Sequence, residues 1–176
     1  MVMIMIKNGK GGSKTTSGLK FEERISLHRL FERLSNYDVK DNDVYYNNKK
    51  VATFYKKNEL YSNLLEPKKV KYLDYISKKL LPDDTLYVLH ANTLFIIEIK
   101  FQNVAGSVDE KLQTCDFKNR QYNKLLKPLG INVKYTYVLN DWFKKQEYKD
   151  VLDYIDSVDC YYFFNEIPLS FLGLSE

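Results

Sequence analysis

The chain has 176 residues, with 27 Lys and Arg against 23 Asp and Glu, two His, two Cys and 44% hydrophobic residues. That length suits one domain with a real core, and the composition is too apolar for a disordered chain. No apolar run approaches the roughly 20 residues of a transmembrane helix, and Cys115 and Cys160 are too few for a disulfide framework or a zinc site.

Met1–Ile6 is shorter than a signal-peptide core and is followed, not preceded, by basic residues, so a cytoplasmic, reducing location is expected. The charge is uneven. Residues 1–79 carry 17 Lys and Arg and 9 acids, a net of +8, whereas residues 80–176 carry 10 and 14, a net of −4. Such a split points to a polyanionic partner, set against the plainer alternative of a solvated lysine-rich surface.

No repeat or internal linker divides the chain, so 1–176 reads as a single domain, opening with a flexible Gly/Lys-rich segment over about residues 1–17. A helix is predicted from near Gly18, because Phe21, Ile25, Leu27, Leu30, Phe31 and Leu34 recur at helical spacing. Tyr37–Tyr46 and Lys49–Lys57 read as two strands joined by Asn47-Asn48. Asn58–Leu65 and Lys68–Leu80 read as helical around Pro67. Thr85–His90 and Thr93–Phe101 carry the densest β signal and are separated by Ala91-Asn92, a hairpin-length connection. Ser107 with Glu110 fits a capping box that opens a long helix to about Lys127, ended by Pro128 and Gly130. Ile131–Leu139 is a strand, Lys144–Ile155 a helix and Cys160–Phe164 a last strand. This order predicts an α/β (α+β layered) domain with a mixed β-sheet flanked by helices.

Most chemistry-bearing residues read as packing. Lys10-Gly11-Gly12-Ser13-Lys14-Thr15-Thr16 falls short of a nucleotide-phosphate loop: Ser13 stands where glycine is needed and the spacing is one residue short. No nucleotide cofactor is therefore expected. His28 and His90 lack partners at metal or catalytic spacing, and both cysteines read as small buried hydrophobes.

The strand at 93–101 is different. Glu98 and Lys100 leave the same face, whereas Ile97 and Ile99 point the other way. A carboxylate and an ammonium in an apolar central strand cost desolvation unless they serve a function. A hairpin brings Pro82-Asp83-Asp84 close to the end of this strand, so that Asp83, Glu98 and Lys100 converge. Two carboxylates gather hard oxygens for Mg²⁺, and a lysine beside them can hold an attacking water or stabilise charge on phosphorus.

With Pro82-Asp83, Glu98-Ile99-Lys100, the preceding strands and the helix and strand that follow, the sequence resembles the PD-(D/E)XK nuclease superfamily, the restriction-endonuclease-like fold, over roughly residues 18–140. Lys14-Thr15-Thr16-Ser17-Gly18-Leu19-Lys20-Phe21-Glu22, and Phe101-Gln102 followed by Gly106-Ser107-Val108-Asp109-Glu110-Lys111-Leu112, look like a type II restriction-enzyme subset. The resemblance implies catalytic roles for Asp83, Glu98, Lys100 and Glu22, and Mg²⁺ (or Mn²⁺) on Asp83, Glu98 and the Ile99 carbonyl. Asp84 is the alternative to Asp83, and Glu23 adjoins Glu22. Gln102 shares the Glu98 face and is placed to contact water or phosphate.

The activity expected is hydrolysis of phosphodiester bonds in double-stranded DNA. Lys10, Lys14, Thr15, Thr16, Ser17 and Lys20 would contact phosphates, and segment 37–57 or the helix after Gly106 would read sequence. A chain this short that cuts both strands is expected to act as a homodimer on a palindromic site. The alternatives are a structure- or damage-specific repair nuclease of the same fold, or a nucleic-acid-binding protein that does not cleave.

Overall fold

The computed structural model describes residues 26–104 and 106–175. Helix α1 (Leu27–Glu32) leads into three strands, β1 (Tyr37–Lys40), β2 (Asp43–Tyr46) and β3 (Lys49–Phe54). A π-helical segment (Leu60–Leu65) and an irregular stretch with two 3-10 turns lead to β4 (Asp84–Val88) and β5 (Thr93–Lys100). Helices α2 (Val108–Leu112) and α3 (Cys115–Leu126) cross over to β6 (Asn132–Leu139). Helix α4 (Lys149–Ser157) then crosses to β7 (Cys160–Phe164), and α5 (Leu169–Leu172) closes the chain.

All seven strands form one sheet in sequence order. Strands β1 to β5 are antiparallel neighbours, joined by short turns except between β3 and β4, where residues 55–83 intervene, while β6 and β7 run parallel to β5 because helical crossovers separate them. The mixed sheet flanked by helices is the architecture that the order of strand and helix signals predicts.

Two apolar layers cover the sheet. On one face Leu94, Ile96, Tyr135 and Tyr137 pack against Leu60 and Leu64, against Tyr122 and Leu125 of α3, and against Leu152 and Ile155 of α4. On the other, Leu86, Phe95, Ile97 and Ile99 pack against Leu27 and Phe31 of α1 and Leu172 of α5. The alternation of β5 thus feeds both cores, which explains why nearly the whole strand is apolar.

Several local expectations differ from the structure. Tyr37–Tyr46 is a hairpin rather than one strand, because Asp41 takes a left-handed conformation (φ 55°) and turns the chain. The helix predicted over Lys68–Leu80 does not form. Only Val70 and Ile76 of that stretch are fully buried, and the Tyr61 hydroxyl bonds both the carbonyl and the N–H of Leu80, holding the chain open along the π-helical segment. The long helix after Gly106 breaks at Thr114, whose hydroxyl donates back to the Lys111 carbonyl. Ser107 makes no side-chain cap, so the capping box is not formed. Residues 141–148 form two 3-10 turns, and the predicted helix starts only at Lys149. The start of the first helix near Gly18, with the glycine-rich segment before it, lies outside the described residues.

The β2–β3 turn offers a stability test. Asn47 (φ 47°) and Asn48 (φ 63°) both occupy the left-handed region, as a two-residue hairpin turn requires. Asn48→Ile should cost about 1–2 kcal/mol in urea denaturation, because a β-branched residue is strained there, whereas Asn48→Gly should be neutral or stabilising. Equal stability of the two variants would contradict this reading of the turn.

Candidate functional site

Strand register assembles the site. Asp84 lies opposite Ile97, so one step back along the chain Asp83 comes level with Glu98, on the face that Lys100 also shares. Lys100 sits between the acids. Its Nζ lies 2.7 Å from Glu98 Oε2, 3.2 Å from Asp83 Oδ2 and 3.3 Å from the Ile99 carbonyl oxygen. Asp83 Oδ2 also accepts the Ile99 N–H at 3.0 Å, which ties the acid to the backbone of β5. The second oxygen of Glu98, Oε1, lies 3.5 Å from Lys118 Nζ on α3.

Two acids and two lysines therefore balance in a partly buried place, with Glu98 deepest and Asp83 and Lys118 towards solvent. Glu98 is only 6% exposed. Burial alone would lower the Lys100 pKa, but Glu98 first and Asp83 second outweigh it, and the ammonium is held charged above its ordinary value. Burial, reinforced by the Glu98 charge, raises the phenols of Tyr122 and Tyr135, which stay neutral beside the acid. The environment is low in dielectric, so charges here interact strongly.

Asp84 does not join the cluster. It faces the Ile97 side of the sheet, where burial pushes its carboxyl up to about 6 while the Thr85 N–H donates to its Oδ1 at 3.0 Å.

Gln102, two residues beyond the end of β5, is latched at the sheet's end. Its N–H donates to Asn140 Oδ1 (3.1 Å), and Asn140 Nδ2 donates to its carbonyl (2.8 Å), joining the ends of β5 and β6. Its side-chain Nε2 donates to the Gly106 carbonyl at 3.4 Å. Its Oε1 is buried and accepts no hydrogen bond, one of three such side-chain atoms among the described residues. An acceptor buried in this way is costly unless something occupies it.

Glu22 and the expected phosphate contacts Lys10, Lys14, Thr15, Thr16, Ser17 and Lys20 lie outside the described residues. Among the described residues, no group of three or more His, Cys, Asp or Glu side chains gathers as a metal cage. Metal-capable oxygens at the cluster come instead from two acids and a backbone carbonyl. His28 pairs with Glu32 on α1, away from these residues, and Cys115 and Cys160 are buried free thiols.

Lys118 and Asn140 were not singled out by sequence reasoning. A signal for Lys118 existed: it falls on the stripe of α3 that carries Cys115, Tyr122 and Leu125, where a lysine has no place without a buried partner. Asn140 gave no such signal, since an Asn after a strand reads as a turn residue.

Removing Lys100 should expose the repulsion between the acids. Lys100→Met is expected to lower stability by about 2–3 kcal/mol in urea at neutral pH, at the low end for a broken buried pair because Asp83 is 30% exposed. Adding Glu98→Gln to the same chain should recover much of that loss. A Lys100→Met chain as stable as wild type would mean that the ion cluster exerts no such constraint.

Compared with known proteins, the chain matches no family model, no curated protein and no solved structure. Among the described residues, no helix is long and apolar enough to cross a membrane.

Proposed function

We propose that the chain is a Mg²⁺-dependent DNA endonuclease that hydrolyses phosphodiester bonds in duplex DNA, in the manner of a type II restriction enzyme. One observation carries the reading. Oxygens of Asp83, Glu98 and the Ile99 carbonyl all lie within 3.3 Å of a single cationic atom, Lys100 Nζ. The ammonium marks where a cation is favoured, and the donors are hard oxygens of the kind Mg²⁺ prefers. The unpartnered Gln102 Oε1 is another hard oxygen, two residues beyond Lys100 in the chain. Mn²⁺ accepts the same ligands.

Asp83, Glu98 and the Ile99 carbonyl would hold the ion, with Gln102 contacting its water or the phosphate. When bound, it would lower the pKa of a water and stabilise charge on the scissile phosphate. Lys100 then has a second task. Its ammonium, beside the same oxygens, would orient the attacking water and stabilise charge developing on phosphorus. Lys118 keeps Glu98 aligned from the helix side. Water oxygen bonds to phosphorus as the bond to the 3′ oxygen breaks, and the proton of the water ends on that oxygen. The products are a 5′-phosphate and a 3′-hydroxyl, as the resemblance implies.

Glu22 would complete the site, and Lys10, Lys14, Thr15, Thr16, Ser17 and Lys20 would grip phosphates without reading sequence. Cutting both strands would pair two copies of the chain about a two-fold axis.

Plasmid DNA incubated with the purified protein and Mg²⁺ should give discrete fragments, and EDTA should abolish them. Lys100→Ala, Asp83→Asn and Glu98→Gln should each slow cleavage by about 10²-fold or more. Lys118→Ala should cost about tenfold, or roughly 1.4 kcal/mol, as befits its longer contact. Intact plasmid with a salt-sensitive gel shift would contradict the enzyme reading and leave only a binder.

A further inference from the structure

We propose that the cleft between the π-helical segment and residues 69–74 is a nucleobase pocket, which takes an unpaired base of the DNA strand beside the cleavage site. The inference rests on the nuclease reading and adds that one base of the bound duplex leaves the stack beside the cut.

The cleft has a volume of about 740 Å³ and is walled by Tyr61, Leu65, Val70, Tyr72 and Leu73. Pockets of this size suit a small flat ligand. Tyr61 and Tyr72 meet edge to face at 5.6 Å between ring centres. Lys79 lies 4.8 Å from one ring centre and 5.2 Å from the other, so a cation already steadies the aromatic wall.

Three of the six exposed large hydrophobics among the described residues, Leu73, Tyr75 and Leu81, fall on the same stretch of chain. Their exposure is otherwise unfavourable, and Leu73 at the cleft is 66% exposed.

Charge selects the occupant. Lys69 and Lys71 line the cleft alongside two acids, Glu66 and Asp74, and the exposed Lys68 and Lys78 on the same stretch tip its balance to positive. A protein-binding core is depleted in lysine, which disfavours a protein partner. Lysines beside an aromatic and apolar wall are the combination that binds unpaired nucleic acid, with lysines on phosphates and the base on half-buried Tyr72 and exposed Leu73, backed by buried Tyr61.

Position ties the cleft to the chemistry. Tyr61, at the cleft wall, bonds both backbone groups of Leu80 at 2.8 Å. Asp83 is three residues further on, at most about 11 Å of extended chain. Tyr61, Leu65 and Val70 belong to the apolar layer on the sheet face from which Glu98 and Lys100 project. A strand whose phosphate reached Lys100 would therefore place a nearby base over the cleft.

The test uses wild-type protein in EDTA, so that no cleavage intervenes, with fluorescence anisotropy on a duplex and on the same duplex carrying a central unpaired bubble. The bubble should bind about tenfold more tightly, and 2-aminopurine placed in it should be quenched by stacking. The charge-neutral pair Tyr72→Ala and Leu73→Gln, at the cleft wall, should erase the preference and the quenching while duplex binding falls less than about threefold. Circular dichroism confirms that the variant folds. Equal affinity for the two DNAs, or a preference that survives in the variant, would overturn the pocket. The two proposals fail separately. Plasmid cleavage without bubble preference removes the pocket alone, and bubble preference without Mg²⁺-dependent cleavage removes the nuclease reading alone.

Discussion

Everything about the site depends on one constraint: two carboxylates cannot face each other in a dry sheet without a cation between them. Lys100 supplies that cation from the same strand as Glu98, two residues on, so the pleat alone brings them together. Asp83 arrives by register, one step beyond the last ladder pair between β4 and β5. Lys118 arrives by helix packing, on the α3 stripe that otherwise presents Cys115, Tyr122 and Leu125 to the core. Strand pleat, hairpin register and crossover helix are each needed to balance the cluster. Slipping the β4–β5 register by one residue would send Asp83 to the opposite face and leave Glu98 and Lys100 without it.

The sequence reveals the parts that periodicity controls. Thr93–Lys100 is apolar on both faces except at Glu98 and Lys100, and a strand of that kind can only sit centrally between two cores. Glu98 and Lys100 are therefore visible as an exception to a rule. The choice between Asp83 and Asp84 is not visible in the same way, because a strand boundary uncertain by one residue reverses which side chain faces the site. Tertiary contact decides the remainder. Lys68–Leu80 has helical spacing at Val70, Leu73, Ile76 and Leu80, but the bond from Tyr61 to the Leu80 backbone lies outside any local pattern. Thr114 breaks α2 from α3 through its own hydroxyl, a competition between side chain and backbone that spacing does not reveal.

The charge asymmetry also acquires a location. Part of the +8 of residues 1–79 sits in the five lysines from Lys68 to Lys79, of which Lys69 and Lys71 line the aromatic cleft, and the stretch runs into Pro82 and Asp83. Part of the −4 of residues 80–176 belongs to Asp83 and Glu98, neutralised by Lys100 and Lys118. Basic segment and acidic pair lie next to each other, so a polyanion attracted by the first would be delivered to the second.

The central claim is that the oxygens around Lys100 form a divalent-cation site. Calorimetric titration of Mn²⁺ into the wild-type chain, and into Asp83→Asn, Glu98→Gln and Asp84→Asn, tests it most directly. The account predicts uptake by the wild type that is lost in the first two variants and kept in the third, because Asp84 faces away. Uptake that survives in Asp83→Asn and Glu98→Gln, or no uptake by the wild type, would contradict it.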